Sequence, residues 1–135
     1  MTNRTDDWIE QAKYDLDHAK ESQKLEHYEW ACLSAQQAAE KAVKAVFYAL
    51  QADVWGHGIA RLLEQLPEII RVNTNLIEES KVLDKYYIPA RYPNGLISGT
   101  PRDNFTKIDS QEAIRIAEKV IKFCQDSIST IRKRS

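Results

Sequence analysis

Three tyrosines surround an arginine in the stretch Tyr86-Tyr87-Ile88-Pro89-Ala90-Arg91-Tyr92-Pro93-Asn94. Arginine offers a planar fork of donors that fits phosphate or carboxylate, and tyrosine offers a stacking face with a hydroxyl. Together they suit a nucleotide or an RNA end. The competing arrangement is a tyrosine-rich helix end packed under a loop, with Arg91 paired to an acidic residue of the first half. A second polar group is Gln36-Gln37-Ala38-Ala39-Glu40-Lys41-Ala42-Val43-Lys44. Gln36, Glu40 and Lys44 are successive i, i+4 neighbours, as are Gln37 and Lys41, so on a helix they form a polar ridge. The ridge is either a Glu40–Lys44 pair with amides that fix bundle register, or the floor of a polar cleft. The third element is Gly56-His57-Gly58, which holds the only histidine in a loop-like setting. One imidazole without neighbouring His or Cys is a poor metal site, so no metal and no cofactor are expected. His18 and His27 flank an acidic helix end and are expected to face solvent.

Several other chemistries are excluded. Neither the P-loop nor the dinucleotide glycine pattern occurs. Gly95-Leu96-Ile97-Ser98-Gly99 places its serine one position too late for a nucleophile elbow. Cys32 and Cys124 lack the close spacing of a zinc site or redox pair and are expected to be buried, reduced thiols. The polar, acidic opening Met1–Asp7 has no secretory pattern, and no run of 18 apolar residues occurs, so a cytoplasmic protein is expected.

These groups need helices to hold them. The chain has 135 residues, 43% hydrophobic, and its 4 Gly and 4 Pro are too few to punctuate a sandwich or barrel. Trp8, Ile9, Ala12, Leu16 and Ala19 form a helical stripe from Asp6 to about Gln23, capped by Thr5 or Asp6. From Tyr28 to Gln51, apolar residues including Trp30 and seven alanines nearly encircle the axis, which implies a central helix approached closely by its neighbours. A short amphipathic helix follows from Ile59 to Leu66, then another from about Thr74 to Ala90. Five of the eight Gly and Pro fall between Pro89 and Pro101, marking the main loop. The last helix is expected to open at Asp109, with Glu112 completing a capping-box-like pair, and to end at Arg132-Lys133-Arg134. The expectation is one all-α domain over residues 1–135, an antiparallel up-and-down bundle of four to five helices. Residues 1–80 carry 8 Lys and Arg against 14 Asp and Glu, and residues 81–135 carry 11 against 6. This dipole marks an anion site in the second half, or lets the two halves pack against each other.

In order along the chain, Trp8 with Ala12 and Asp15-Leu16, the block Ala35 to Ala45, Gly56-His57 before a leucine-rich helix, and Tyr87 with Arg91-Tyr92-Pro93 resemble the HEPN domain family over nearly the whole length. The resemblance implies a helical bundle that commonly dimerises and a role tied to nucleotides or RNA. Many HEPN ribonucleases use an arginine followed four to six residues later by histidine. Here positions 50–52, which would pair with His57, are Leu50, Gln51 and Ala52, so that motif is missing. The chain is more similar to the Arg-Tyr-Pro branch associated with minimal nucleotidyltransferases. The resemblance carries over Gln37, Glu40, Lys41, Lys44, His57, Tyr87, Arg91 and Tyr92 as ligand-binding residues, with no catalytic residue assigned. The leading expectation is a homodimer that binds a nucleotide or RNA end and works with a separate minimal nucleotidyltransferase, as in a toxin–antitoxin pair. The alternatives are a metal-independent ribonuclease using His57 and Arg91, and a purely structural interaction bundle.

Overall fold

Small side chains let the second helix run through the middle of the molecule. The computed structural model describes residues 3–134, and its helices are α1 (Thr5–Lys24), α2 (Tyr28–Ala49), α3 (Ile59–Glu64), α4 (Thr74–Asp84), α5 (Pro101–Asn104) and α6 (Lys107–Arg134). Among the described residues there is no strand, and no helix is long and apolar enough to cross a membrane. Helix α2 packs against every other helix, most extensively against α1 and α6, while α3 pairs with α4 and α4 leans on α6. Ala31, Ala35, Ala38, Ala39, Ala42 and Ala45 of α2 are fully buried, as are Ala12 and Ala19 of α1 facing the same core. Leu62, Leu63, Leu83, Ile116 and Val120 fill the space between the backbones. Trp30 departs from the expected apolar wrap: half of it is exposed, although Glu29 and Ala31 on either side of it are buried.

The all-α bundle is as expected, but four local details differ. Thr5 does not cap α1. It lies buried inside the helix, and the Asn3 side chain accepts from both its amide (2.9 Å) and its hydroxyl. Helix α4 stops at Asp84 instead of running to Ala90. Pro89 supplies no amide donor, and residues 85–91 continue as tight turns such as Tyr92 N to Ile88 O at 3.1 Å. The loop beyond it contains a 3-10 turn at Pro93–Gly95 and one short α-helix, α5, closed by a Thr100/Asp103 capping box, which raises the count of α-helices among the described residues to six. Helix α6 opens at Lys107 with Thr106 as its cap: Asp109 N donates to Thr106 Oγ1 at 3.1 Å, and Asp109 Oδ2 accepts from Thr106 N at 2.9 Å. Asp109 is therefore the third residue of the box and not the cap, and Glu112 instead meets Arg115 at 2.5 Å.

Helices α1 and α2 both end in Schellman motifs that place a non-glycine residue in the left-handed region, Glu26 at φ 62° and Gln51 at φ 56°. The closing bonds are His27 N to Ser22 O and Ala52 N to Phe47 O, at 2.8 and 3.0 Å. An L side chain there costs about 1–2 kcal/mol, part of which glycine returns as unfolded-chain entropy. Glu26→Gly and Gln51→Gly are each expected to raise stability by about 0.5 kcal/mol, read as an upward shift of the urea midpoint.

The two oppositely charged halves do meet. Asp6 binds Arg132 at 2.9 Å, and Glu79 of α4 holds Arg115 and Lys119 of α6 at 2.7 and 2.5 Å. The hydrogen bonds from Lys119 and Arg115 hold the Glu79 carboxyl below its usual range. A depressed folded-state pKa gives stability that is present above about 4.5 and is lost as pH falls toward the folded value. In Glu79→Gln the acid limb of a stability–pH curve should therefore be flatter than in the parent, measured by chemical unfolding between about pH 2 and 6.

Both cysteines are buried and unpaired, as expected. Burial pushes both thiols up, which keeps them protonated and unreactive. His18 is exposed, whereas His27 is half-buried at the entrance to α2.

Candidate functional site

Glu40 is the centre of a polar cluster set into one face of α2. Its carboxylate is almost fully buried and takes three contacts: Gln36 Nε2 on Oε1 at 3.2 Å, Lys44 Nζ on Oε2 at 2.9 Å, and His57 Nδ1 on Oε2 at 3.1 Å. The first two follow from helical spacing, since residues four apart lie on one ridge. The third crosses from the loop before α3. A carboxylate only accepts, so Nδ1 is the donor, which leaves Nε2 of the half-exposed imidazole turned away from Glu40. Gln36, fully buried, also donates to the His57 carbonyl at 3.3 Å and accepts from Gln37 Nε2 at 2.7 Å. It thereby fixes the backbone as well as the side chain of the histidine loop.

The segment after α4 supplies the other wall. The Tyr87 ring stacks on the His57 ring with centroids 5.1 Å apart and planes 17° from parallel. The Arg91 guanidinium carbon lies 4.3 Å from the centre of the same tyrosine ring and 5.4 Å from that of Tyr92. Arg91 Nε donates to the Tyr87 carbonyl at 2.9 Å. Among the described residues no carboxylate lies within ion-pair distance of Arg91. The pairing with an acidic residue of the first half does not form, and the terminal nitrogens of the guanidinium stay available to a ligand. Tyr92 is half exposed.

Asp84 joins the two walls, and sequence reasoning missed it. The last residue of α4, it accepts from Ile59 N at 2.7 Å and Ala60 N at 3.1 Å, so it caps α3 from another helix and anchors the loop that carries His57. Burial pushes its carboxyl up, the two amides oppose this, and the neighbouring Glu40 charge adds to it. A cap supplied from 25 positions away leaves no local pattern to read.

Of the eight residues expected at the site, Gln37, Glu40, Lys44, His57, Tyr87, Arg91 and Tyr92 are linked in one chain of contacts. Lys41 is not among them. One position further round the helix, it faces α1 and pairs with Asp15. It ties two helices together and has no contact with the His57 cluster.

Residues 5–127 of the chain match the HEPN domain family. The chain belongs to that family. Three solved structures share its fold at identities that bear out the assignment. TT1696 from Thermus thermophilus is 44% identical with a TM-score of 0.91, over 93% of this chain and 99% of that one. ST0689, an archaeal HEPN homologue, is 34% identical with a TM-score of 0.79, over 94% and 99%. The HEPN domain protein tm0613 from Thermotoga maritima is 38% identical with a TM-score of 0.74, over 90% and 97%. Among proteins with curated descriptions, "Putative toxin MJ1304" of Methanocaldococcus jannaschii is 27% identical over 88% of this chain and 84% of its own. For this HEPN chain the missing arginine–histidine spacing is a fact of sequence. What the fold provides instead is a histidine and an arginine from different segments, both resting on Tyr87.

Proposed function

We propose that this HEPN protein binds a nucleotide or RNA end on the ledge formed by His57, Tyr87, Arg91 and Tyr92, and acts as the toxin-like member of a pair with a separate minimal nucleotidyltransferase. The observation that carries the reading is an arginine without an acidic partner among the described residues, laid over two tyrosines and close to a histidine. A guanidinium with free terminal nitrogens is a ready ligand for phosphate, and exposed aromatic rings stack on bases. The likeness to a relative named as a toxin supports the paired role.

The test is the thermal shift of the purified protein with ATP, GTP, UTP, CTP and a short RNA, with Arg91→Ala beside it. A stabilisation that grows with ligand concentration and is absent in the variant is the expected result. No shift with any of them would leave the structural bundle as the better account. The RNA recovered from the same samples decides a second reading that the Glu40-held His57 favours: cleavage that disappears in His57→Ala would make the protein a ribonuclease.

A further inference from the structure

We infer that the group this ledge selects is a phosphate monoester, the terminal phosphate of a nucleotide or RNA chain, in preference to an internal diester, and that Glu40 is the positioning residue that aims His57 at it. The inference rests on the reading just proposed and follows from which charges are already committed.

The ionisable groups around His57 come from every element that borders it. Helix α2 contributes Glu40 and Lys44, α4 contributes Asp84, and the turns after it contribute Tyr87 and Arg91. Arg61, exposed in the short helix α3, lies against Gly58 of the same loop. The Lys44 side chain is only 13% exposed and is bonded to Glu40. Asp84 is bonded to the α3 amides. Lys44 is thus neutralised by Glu40, and within the contacting cluster Arg91 is the cation whose terminal nitrogens stay open to an anion. A proton on His57 adds a second positive donor beside it. With Nδ1–H held by Glu40 at 3.1 Å, that second proton sits on Nε2, on the side away from the carboxylate.

A monoester and a diester answer this differently. A monoester loses its second proton near about pH 6 and is then a dianion. Such a dianion can accept from Nε2–H in a hydrogen bond of the strong, charge-assisted kind. A monoester also presents three terminal oxygens, enough for the Arg91 fork and the imidazole at once. A diester carries a single charge and two such oxygens, and it has no second proton to lose. One charge-assisted hydrogen bond corresponds to roughly a 10- to 100-fold difference in affinity.

The experiment is equilibrium binding of adenosine 5′-monophosphate and of its 3′,5′-cyclic diester, which share base and ribose, from about pH 5.5 to 8, the span that brackets the second ionisation of a phosphate monoester. Two copies of a short RNA, one with a 5′-phosphate and one with a 5′-hydroxyl, complete the set. The parent protein should bind the monoester at least about tenfold more tightly than the cyclic diester at about pH 6.5, and the phosphorylated RNA more tightly than its hydroxyl form. His57→Gln and Glu40→Gln should shrink the ratio to within about threefold and flatten its pH dependence. A fold defect alone would not do this, because it lowers both affinities together. Tighter binding of the phosphorylated RNA than of the mononucleotide would make an RNA end the source of the phosphate, and the reverse would make it a free nucleotide. Equal binding of monoester and diester, both lost in Arg91→Ala, would overturn this inference and leave the proposed site standing. Failure of every ligand to bind at any pH would overturn the site itself.

Discussion

Arg91→Ala should weaken binding of a 5′-phosphorylated nucleotide by about 10- to 100-fold while lowering stability by only about 1–2 kcal/mol. The terminal nitrogens of Arg91 have no acceptor among the described residues, and only its Nε is used, on the Tyr87 carbonyl. Truncation therefore removes one or two charge-assisted hydrogen bonds to the ligand, each worth about 1.5–3 kcal/mol. Within the protein it removes one part-buried hydrogen bond and two cation–π contacts, each contact worth about 0.5–1 kcal/mol. Arg91→Lys keeps the charge but not the planar fork, and should recover less than half of the lost binding energy. Isothermal titration with adenosine 5′-monophosphate, run beside urea unfolding of the same samples, separates the two effects. An affinity equal to the parent's would place the phosphate elsewhere. A large fall in the urea midpoint would mean that Arg91 holds the fold.

Gln36→Ala should cost about 2–4 kcal/mol of stability and also reduce ligand affinity. Gln36 is fully buried, and its amide serves Glu40, the His57 carbonyl and Gln37. Alanine leaves a cavity at the centre of the bundle and takes one donor from a nearly buried carboxylate, and both effects destabilise. Gln36→Met fills the volume without restoring the donor. It should recover part of the stability but not the affinity, because the loop that carries His57 would still lack its anchor. Urea unfolding gives the first quantity and titration of the same variants the second. A Gln36→Met protein that binds like the parent would show that Asp84 and Glu40 hold the histidine loop without it.

How much of this site the sequence declares depends on the distance over which each contact acts. The i, i+4 ridge is a property of one helix, so the Glu40–Lys44 pair follows from spacing. So does the central place of α2, whose alanines close the gaps to its neighbours. The Tyr–Arg–Tyr cluster is also visible as a local composition, because Arg91 meets Tyr87 across one turn. Helix ends are harder to read. The Asp109–Glu112 spacing imitates a capping box, but Thr106 is the residue whose hydroxyl accepts from a free first-turn amide, that of Asp109. The stop at Asp84 precedes Pro89 by a run of turns that periodicity alone continues as helix.

By itself, then, the sequence determined the helical class, the buried polar ridge, the tyrosine–arginine cluster and the absence of the arginine–histidine spacing, because each of these is set within a few residues. Only the tertiary structure decided that His57 meets Glu40 and Tyr87, that Asp84 caps α3, and that Lys41 belongs to Asp15 and not to the site. Those contacts join residues 17 or more positions apart on different elements. They exist because packing α1, α3 and α4 around α2 buries their apolar faces together, and hydrophobic burial is non-directional. The chemistry of the ledge comes from where that packing leaves a few polar groups.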